Sequence, residues 1–421
     1  MRILYNLLTY FLLVPYTIYW LLRALVNNTY RHKLAQRFGF GFQRLEPSLW
    51  VHAVSVGEVV AAAPLIRALL ERYPEHPVLL TTVTPTGAAR AQALFGDAIA
   101  HAYIPFETPD AVNRFFRRSQ PRIAMIMETE IWPNLYHGCG TRRIPLVLVS
   151  ARISPRSVTS YRKLLPLFRE TLSHGIVIAA QSEADAERFI SLGASEQRTR
   201  VTGNIKFDIE LPPDLLARGQ ELRRNVIGER PVWIAASTHD GEEEMILRAH
   251  RQLLDEHPSL LLILVPRHPQ RFAAVRTLIE KSEFEYVART SGNSCSASTS
   301  VYFGDTMGEV TLFYAASDIA LVAGSLIPIG GHNMLEPAAL GVPVLTGPYV
   351  FNAQEIADRF VAEKACRMVK DTDGLVAEID SLLRHPDEAR ALGENGRQIL
   401  EKNRGALLRL LSLIEPLIDA D

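Results

Sequence analysis

Between Ile319 and Pro348 the chain reads IALVAGSLIPIGGHNMLEPAALGVPVLTGP. Two short apolar runs, IALVAG and VPVLTG, are closed off by glycine and proline, as expected for strands buried on both faces. Gly330-Gly331 predicts a tight turn that opens a helix near His332, with Glu336 one turn inside it. A strand, a helical crossover and a second strand make the unit of a parallel sheet, and the glycine turn then lies beyond a strand's carboxyl end. Glycines at that place let backbone approach an anion, and a helix start supplies free amides. A carboxylate at Glu336 can accept two hydrogen bonds from ribose 2′- and 3′-hydroxyls.

The same alternation extends outward. PVWIAAST, SLLLILVP and VYFGD precede this stretch, with amphipathic helical segments between them. Upstream, a first series runs SLWVHAVS, PVLLTTVT, RIAMIMET, IPLVLVSA and GIVIAAQ, separated by helical stretches such as Val59–Tyr73 and Ser182–Leu192. Two series predict an α/β protein with two doubly wound, Rossmann-like domains facing a cleft, over residues 40–210 and 225–400. The join falls near Asp208–Arg230, which contains Pro212-Pro213. GNSCSASTS (Gly292–Ser300) reads as an exposed loop. Asp373–Ile418 is almost all helical, with residues 401–421 as a C-terminal helix.

Composition bounds the answer. The 421 residues are 48% hydrophobic and 22% charged. That excludes a disordered chain, a collagen and a polytopic membrane protein. The net charge is −1, without the basic surplus of a nucleic-acid binder. Cys139, Cys295 and Cys366 form no CxxC pair and no disulfide framework, which suits a reducing compartment or plain buried thiols.

Residues 1–40 hold Arg2, Arg23, Arg31, Lys33 and Arg37 and no acid, leaving the rest of the chain at −6. Between Arg2 and Arg23 lie 20 uncharged residues, ILYNLLTYFLLVPYTIYWLL. As a helix they span ~30 Å, one hydrocarbon core. Tyr19 and Trp20 suit the headgroup boundary, and the basic residues that follow place the body in the cytoplasm. Residues 1–30 are thus expected to form a single membrane anchor, kinked at Pro15. Whether it spans or lies in the interface is open, and a cleaved signal or a buried core helix would have similar composition.

Candidate chemistry sits just after the strands. In HAVSVGEVVAAAPL (His52–Leu65) a strand ends at Ser55, Gly57 permits a tight turn, and Glu58 starts a helix. Glu58 either complements the helix dipole or serves as a general base. The dipole favours the charged carboxylate by under ~1 kcal/mol, so it does not forbid a base of useful strength. METEIWPN (Met127–Asn134) places Glu128 and Glu130 at a strand end, where alternation predicts that both point to one face. SARISPRSVTSYRK (Ser150–Lys163) gathers Arg152, Arg156, Arg162 and Lys163 into a basic patch, either solvated or facing a phosphorylated acceptor. Lys206 in VTGNIKFD lies at the join, where it could reach a phosphate or a carboxylate. In LVPRHPQRF, Pro266-Arg267 and His268 follow a strand and suit a phosphate or base contact. There is no HExxH and no DxD, and no metal site is expected. His52, His239, His268 and His332 read as hydrogen-bonding residues.

Taken together, HAVSVGEVVAAAPL, METEIWPN, SARISPRS, GNIKFD, AASTHDGEEE, VPRHPQRF, FGDTMGE and GGHNMLEP resemble the Kdo transferases (3-deoxy-D-manno-octulosonic acid transferases) in order and spacing over nearly the whole chain. The resemblance implies a GT-B fold and an enzyme on the cytoplasmic face of a bacterial inner membrane. It implies inverting transfer of Kdo from CMP-Kdo to a tetraacyl disaccharide lipid A precursor, with no metal or other cofactor. Glu58 would be the base toward the acceptor hydroxyl, and Glu128 and Lys206 would stabilise the transition state. The cytidine monophosphate would be held by Pro266 and Arg267, by Met307, Gly308 and Glu309, and by Asn333, Met334, Leu335 and Glu336. Ser150 stands where the family more often has Asn. Two rival readings are a nucleotide-sugar epimerase on the same fold and a membrane-tethered nucleotide- or lipid-binding protein without catalysis.

Overall fold

A computed structural model describes residues 1–26, 33–162, 165–172, 175–209 and 211–419. Lys163 of the expected basic patch and Arg31 of the basic link lie outside these residues. The chain forms two compact units, one of residues 1–208 with 403–421 and the other of 209–402.

The first unit holds seven parallel strands: β1 (Ser48–His52), β2 (Val78–Thr82), β3 (Ala100–Tyr103), β4 (Pro121–Met127), β5 (Leu146–Ala151), β6 (Val177–Ala180) and β7 (Thr199–Val201). Their order is β3-β2-β1-β4-β5-β6-β7. The chain winds outward from β1 in one direction and from β4 in the other, so the crevice between β1 and β4 is the topological switch point. Both faces of the sheet are covered. Leu49 and Val51 of β1 enter one apolar cluster with Val59, Leu65 and Leu69 of the helix Val56–Arg72. Trp50, between them, points into the other with Phe115 and Phe116. Burial on both faces is why the strands read as unbroken apolar runs.

The C-terminal helix Ala406–Ile418 belongs to this first unit. Leu410, Leu411 and Ile414 pack into the same cluster as β1. Asp208 fixes its start, accepting the amides of Gly405 at 2.7 Å and Leu407 at 2.5 Å.

The second unit repeats the plan with β8 (Val232–Thr238), β9 (Leu261–Pro266), β10 (Tyr286–Ala288), β11 (Val301–Phe303), β12 (Ile319–Val322), β13 (Val344–Thr346) and β14 (Cys366–Met368). All are parallel, in the order β10-β11-β9-β8-β12-β13-β14, and the switch point lies between β8 and β12. Gly292–Ser300 is a largely exposed loop.

Helix α1 (Arg2–Val26) is continuous through Pro15 and is long and apolar enough to cross a membrane. One side of it rests on the first unit. Arg2 bonds His137, the Tyr10 hydroxyl donates to Asp110 at 2.7 Å, and Tyr16 meets Phe106 edge to face at 5.3 Å between centroids. The Arg37 guanidinium covers the Trp20 ring at 3.8 Å. Ile3, Leu4, Leu7 and Phe11 are left exposed.

Candidate active site

Glu58 follows β1 and Glu128 follows β4, so the two acids flank the first switch point. Glu58 lies in the first turn of the helix Val56–Arg72, whose N-cap is Ser55. Its carboxylate turns back to accept the Val54 amide at 2.8 Å and the Ser55 hydroxyl at 3.3 Å. Burial pushes the Glu58 pKa up to about 7. The Val54 bond opposes the shift, while the charges of Glu128 and Glu130 add to it. Gly57 does not make the turn expected of it. It lies within the helix, outside the positive-φ glycines, and the extended Ser55 does the turning.

Glu128 corrects a second expectation. Strand β4 stops at Met127, and Glu128 adopts φ 55°, in the left-handed region. Strand alternation therefore does not reach Glu128 and Glu130. The buried Glu128 carboxylate receives Lys206 Nζ at 2.6 Å on one oxygen and Arg152 at 2.8–2.9 Å on the other. Burial alone would raise its pKa, but the two cations outweigh burial and hold it below the usual carboxylate range. Glu130 instead accepts the Trp132 indole N–H at 2.8 Å, and burial lifts its pKa. Arg152 is thus committed to Glu128, leaving Arg156 and Arg162 exposed on the helix Pro155–Arg162. The Lys206 segment is fixed by Ser150, whose hydroxyl accepts the Ile205 amide at 3.2 Å, and by Asn204, which accepts the Lys206 amide at 2.9 Å.

In the second unit the expected donor residues lie at or beyond the carboxyl ends of strands. Pro266 ends β9, Met307-Gly308-Glu309 follow β11, and Asn333 to Glu336 follow β12. The helix expected near His332 begins only at Leu335 and ends at Ala339. Gly330 and Gly331, at φ 112° and 76°, shape a loop instead, and five helical residues supply little macrodipole. The positive charge here is that of Arg267, beside a cluster of histidines. His239 after β8 and His332 after β12 meet across the switch point, Nε2 to Nε2, at 2.8 Å, and His268 crosses His239 edge to face. Burial, with Arg267 nearby, pushes the His332 pKa down to about 3. Among the described residues no carboxylate forms an ion pair with Arg267, yet its charge reaches both His332 and Glu336. Glu336 accepts the Asn333 side-chain amide at 3.1 Å, and burial raises its pKa.

Glu309 is occupied within the chain. Arg289 grips both its oxygens at 2.8 and 3.1 Å, and the Thr306 hydroxyl donates at 2.6 Å. Its neighbours offer the Met307 side chain, which is exposed, and Gly308 at φ 83°. Asn333 also accepts the Leu335 amide at 3.1 Å, and Met334 and Leu335 are buried beneath it.

One residue of this unit had no assigned role in the sequence reading. Glu242, fully buried, accepts the amides of Gly324 at 2.8 Å, Ser325 at 3.1 Å, Leu326 at 3.0 Å and His239 at 3.0 Å. It ties the loop after β12 to the loop after β8. The acid run in AASTHDGEEE was the available signal, but acids at a helix start are commonplace.

Two doubly wound parallel-sheet units with polar residues at their strand ends make a GT-B-like fold. Residues 32–209 match the family described as 3-Deoxy-D-manno-octulosonic-acid transferase (kdotransferase), and residues 302–405 match Glycosyl transferase-like. The 3-deoxy-D-manno-octulosonic acid transferase of Haemophilus influenzae is 43% identical over 402 residues, 94% of each chain. That of Bordetella pertussis is 38% identical over 88% of this chain and 87% of the relative. The chain belongs to the Kdo transferase family. Among solved structures, a UDP-GlcNAc 2-epimerase from Neisseria meningitidis bound to UDP-GlcNAc aligns with TM-score 0.54 at 17% identity, over 87% of this chain and all of the other. At that identity it speaks for the fold alone.

Proposed function

We propose that this Kdo transferase moves Kdo from CMP-Kdo to the hydroxyl of a tetraacyl disaccharide lipid A precursor, with inversion and without a metal ion. The carrying observation is Glu58, a carboxyl at a switch point with its pKa pushed up to about 7. A base is most useful when its pKa lies near the working pH. Single displacement needs one such base, opposite the leaving group, to take the acceptor proton while the sugar–phosphate bond breaks.

Glu128, Lys206 and Arg152 together carry one net positive charge. That suits an anion, such as the sugar acid's carboxylate or an acceptor phosphate, better than a sugar cation. Glu128 would act in the transition state by aiming the two cations. The leaving group carries a single phosphate, whose charge Arg267 can oppose while the neutral His332 offers a hydrogen bond. Glu336 would take the ribose hydroxyls, with Asn333, Met334 and Leu335 shaping that contact. Pro266 and the Met307–Glu309 turn would flank the nucleotide. Helix α1 would hold the body at a cytoplasmic membrane face, where an acylated, phosphorylated acceptor resides.

The test is transfer by the full chain in detergent with CMP-Kdo and the tetraacyl precursor. Mass spectrometry reads the number of residues added, and NMR reads the anomeric configuration. Retained configuration, or loss of turnover in EDTA, overturns the mechanism. CMP binding without transfer would favour a binding protein.

A further inference from the structure

His239 and His332 form a hydrogen-bonded pair of imidazoles. Their Nε2 atoms are 2.8 Å apart, the ring planes lie 6° from parallel and the centroids are 5.1 Å apart. That nitrogen–nitrogen distance is too short for stacked faces, so the rings meet edge to edge. Two bare lone pairs do not face each other at hydrogen-bond length, so one Nε2 carries a proton and the other accepts it. Burial holds both rings below the ordinary histidine pKa, so each keeps a single proton at neutral pH. The accepting ring must therefore carry its own proton on Nδ1. Among the described residues neither Nδ1 has a hydrogen-bond partner.

The loops on both sides are built to hold this pair. The Glu242 carboxylate accepts the His239 amide at 3.0 Å and the amides of Gly324, Ser325 and Leu326, so one acid fixes both loops. The Gly331 amide donates to Gly324 O at 2.7 Å and closes the second loop beside His332. A Cβ at Gly324 would stand 2.7 Å from His332 Cδ2 and 2.8 Å from its Nε2, so glycine is what admits the ring. The charges around the two rings differ. His268, then Arg267 and Arg271, bear on His239, whereas Arg267 is the leading charge on His332 and also reaches Glu336. A phosphate held by Arg267 would lie on the His332 side, and an ionised phosphate oxygen only accepts.

We propose that His239 is a positioning residue for the leaving group: its Nε2–H donates to His332 Nε2, which keeps His332 in the Nδ1–H form, and that N–H donates to a phosphate oxygen of the bound nucleotide. The inference rests on the donor site proposed above and adds which proton each histidine holds. A neutral imidazole left to water favours Nε2–H, and without His239 a bare Nδ1 would face the phosphate.

The tautomers are read directly in the full chain, in detergent, labelled with 15N-histidine. Long-range proton–nitrogen correlation spectra separate protonated from bare ring nitrogens, and His332→Asn assigns the signals. Before any ligand is added, His332 should show a protonated Nδ1 and a bare Nε2, and CMP should then move the Nδ1 signal. His239→Phe should return His332 to the Nε2–H form and weaken CMP about tenfold by calorimetry. His239→Gln, which keeps an N–H donor, should restore both. The parent spectrum is the test if His239→Phe does not fold. A protonated His332 Nε2 in the parent overturns the proposal, as does a His239→Phe variant that melts lower with the His332 tautomer unchanged. CMP that binds without moving the Nδ1 signal also overturns it and spares the donor site, whereas a parent that binds no CMP overturns both.

Discussion

Lys206 Nζ stands 2.6 Å from Glu128 Oε1, joining residues 78 positions apart at the carboxyl end of β4. Arg152 completes the clamp on the other oxygen. Lys206→Ala leaves Glu128 with one partner, so its pKa should climb toward the ordinary carboxylate value. Because the native pKa is depressed, the pair stabilises the fold above about pH 4.5, and that stability is lost as pH falls. Thermal melts of Lys206→Ala should lie below the parent at pH 7 and approach it as acid protonates Glu128. Turnover should drop about a hundredfold, the usual scale for removing one charge-stabilising group. A variant as stable as the parent at pH 7 would show the clamp to be idle.

Glu58 gives the opposite sign. Its native pKa is raised, so its contribution to stability is fully present below about pH 4.5 and is lost as pH climbs through about 7. Glu58→Gln keeps an acceptor for the Val54 amide and removes the charge. The variant should match the parent at pH 4 and exceed it at pH 8 by on the order of 1–3 kcal/mol. It should also lack transferase activity. Urea melts at the two pH values and a rate profile with an acidic limb near pH 7 check both halves. Equal stability at pH 8 would remove the buried-base argument.

The sequence reading found ten strands and missed four, and the misses have one cause. β3, β7, β10 and β14 are the outermost strands of the two sheets. They are three or four residues long, and most are only partly buried, so no continuous apolar run marks them. For the candidate site, the sequence placed the named donor residues at or after strand ends, and the structure has them there. Its geometry was less legible. A φ of 55° at Glu128 and of 48° at Ser150 follows from packing, not from a local motif. The histidine pair joins positions 93 apart, beyond the reach of any spacing rule.

Glu336→Ala tests the nucleotide contact. Calorimetry with CMP should show binding weakened about tenfold, the loss expected for one or two hydrogen bonds to a charged acceptor. Binding of 2′,3′-dideoxy-CMP should already be weak and should change little in the variant. An unchanged dissociation constant for CMP assigns Glu336 a structural part only. Arg267→Ala should weaken CMP and inorganic phosphate alike, and its effect should shrink in high salt.

Glu242 is the strictest case, because a fully buried carboxylate there meets four backbone amides. Glu242→Gln keeps the shape but turns one acceptor into a donor that faces amide donors. Leaving such groups unpaired costs about 2–4 kcal/mol in this setting. The melt should fall by several degrees. The loop Gly324–Leu326 should lose hydrogen-exchange protection before the rest of the second sheet. Nearby packing limits the loop's freedom to compensate: a Cβ at Gly347 would sit 2.1 Å from Ser325 O. CMP affinity should fall with loop order, although Glu242 is tied up in backbone bonds. If exchange in Gly324–Leu326 stays at parental levels while the melt drops, Glu242 supports the sheet and has no part in shaping the donor loop.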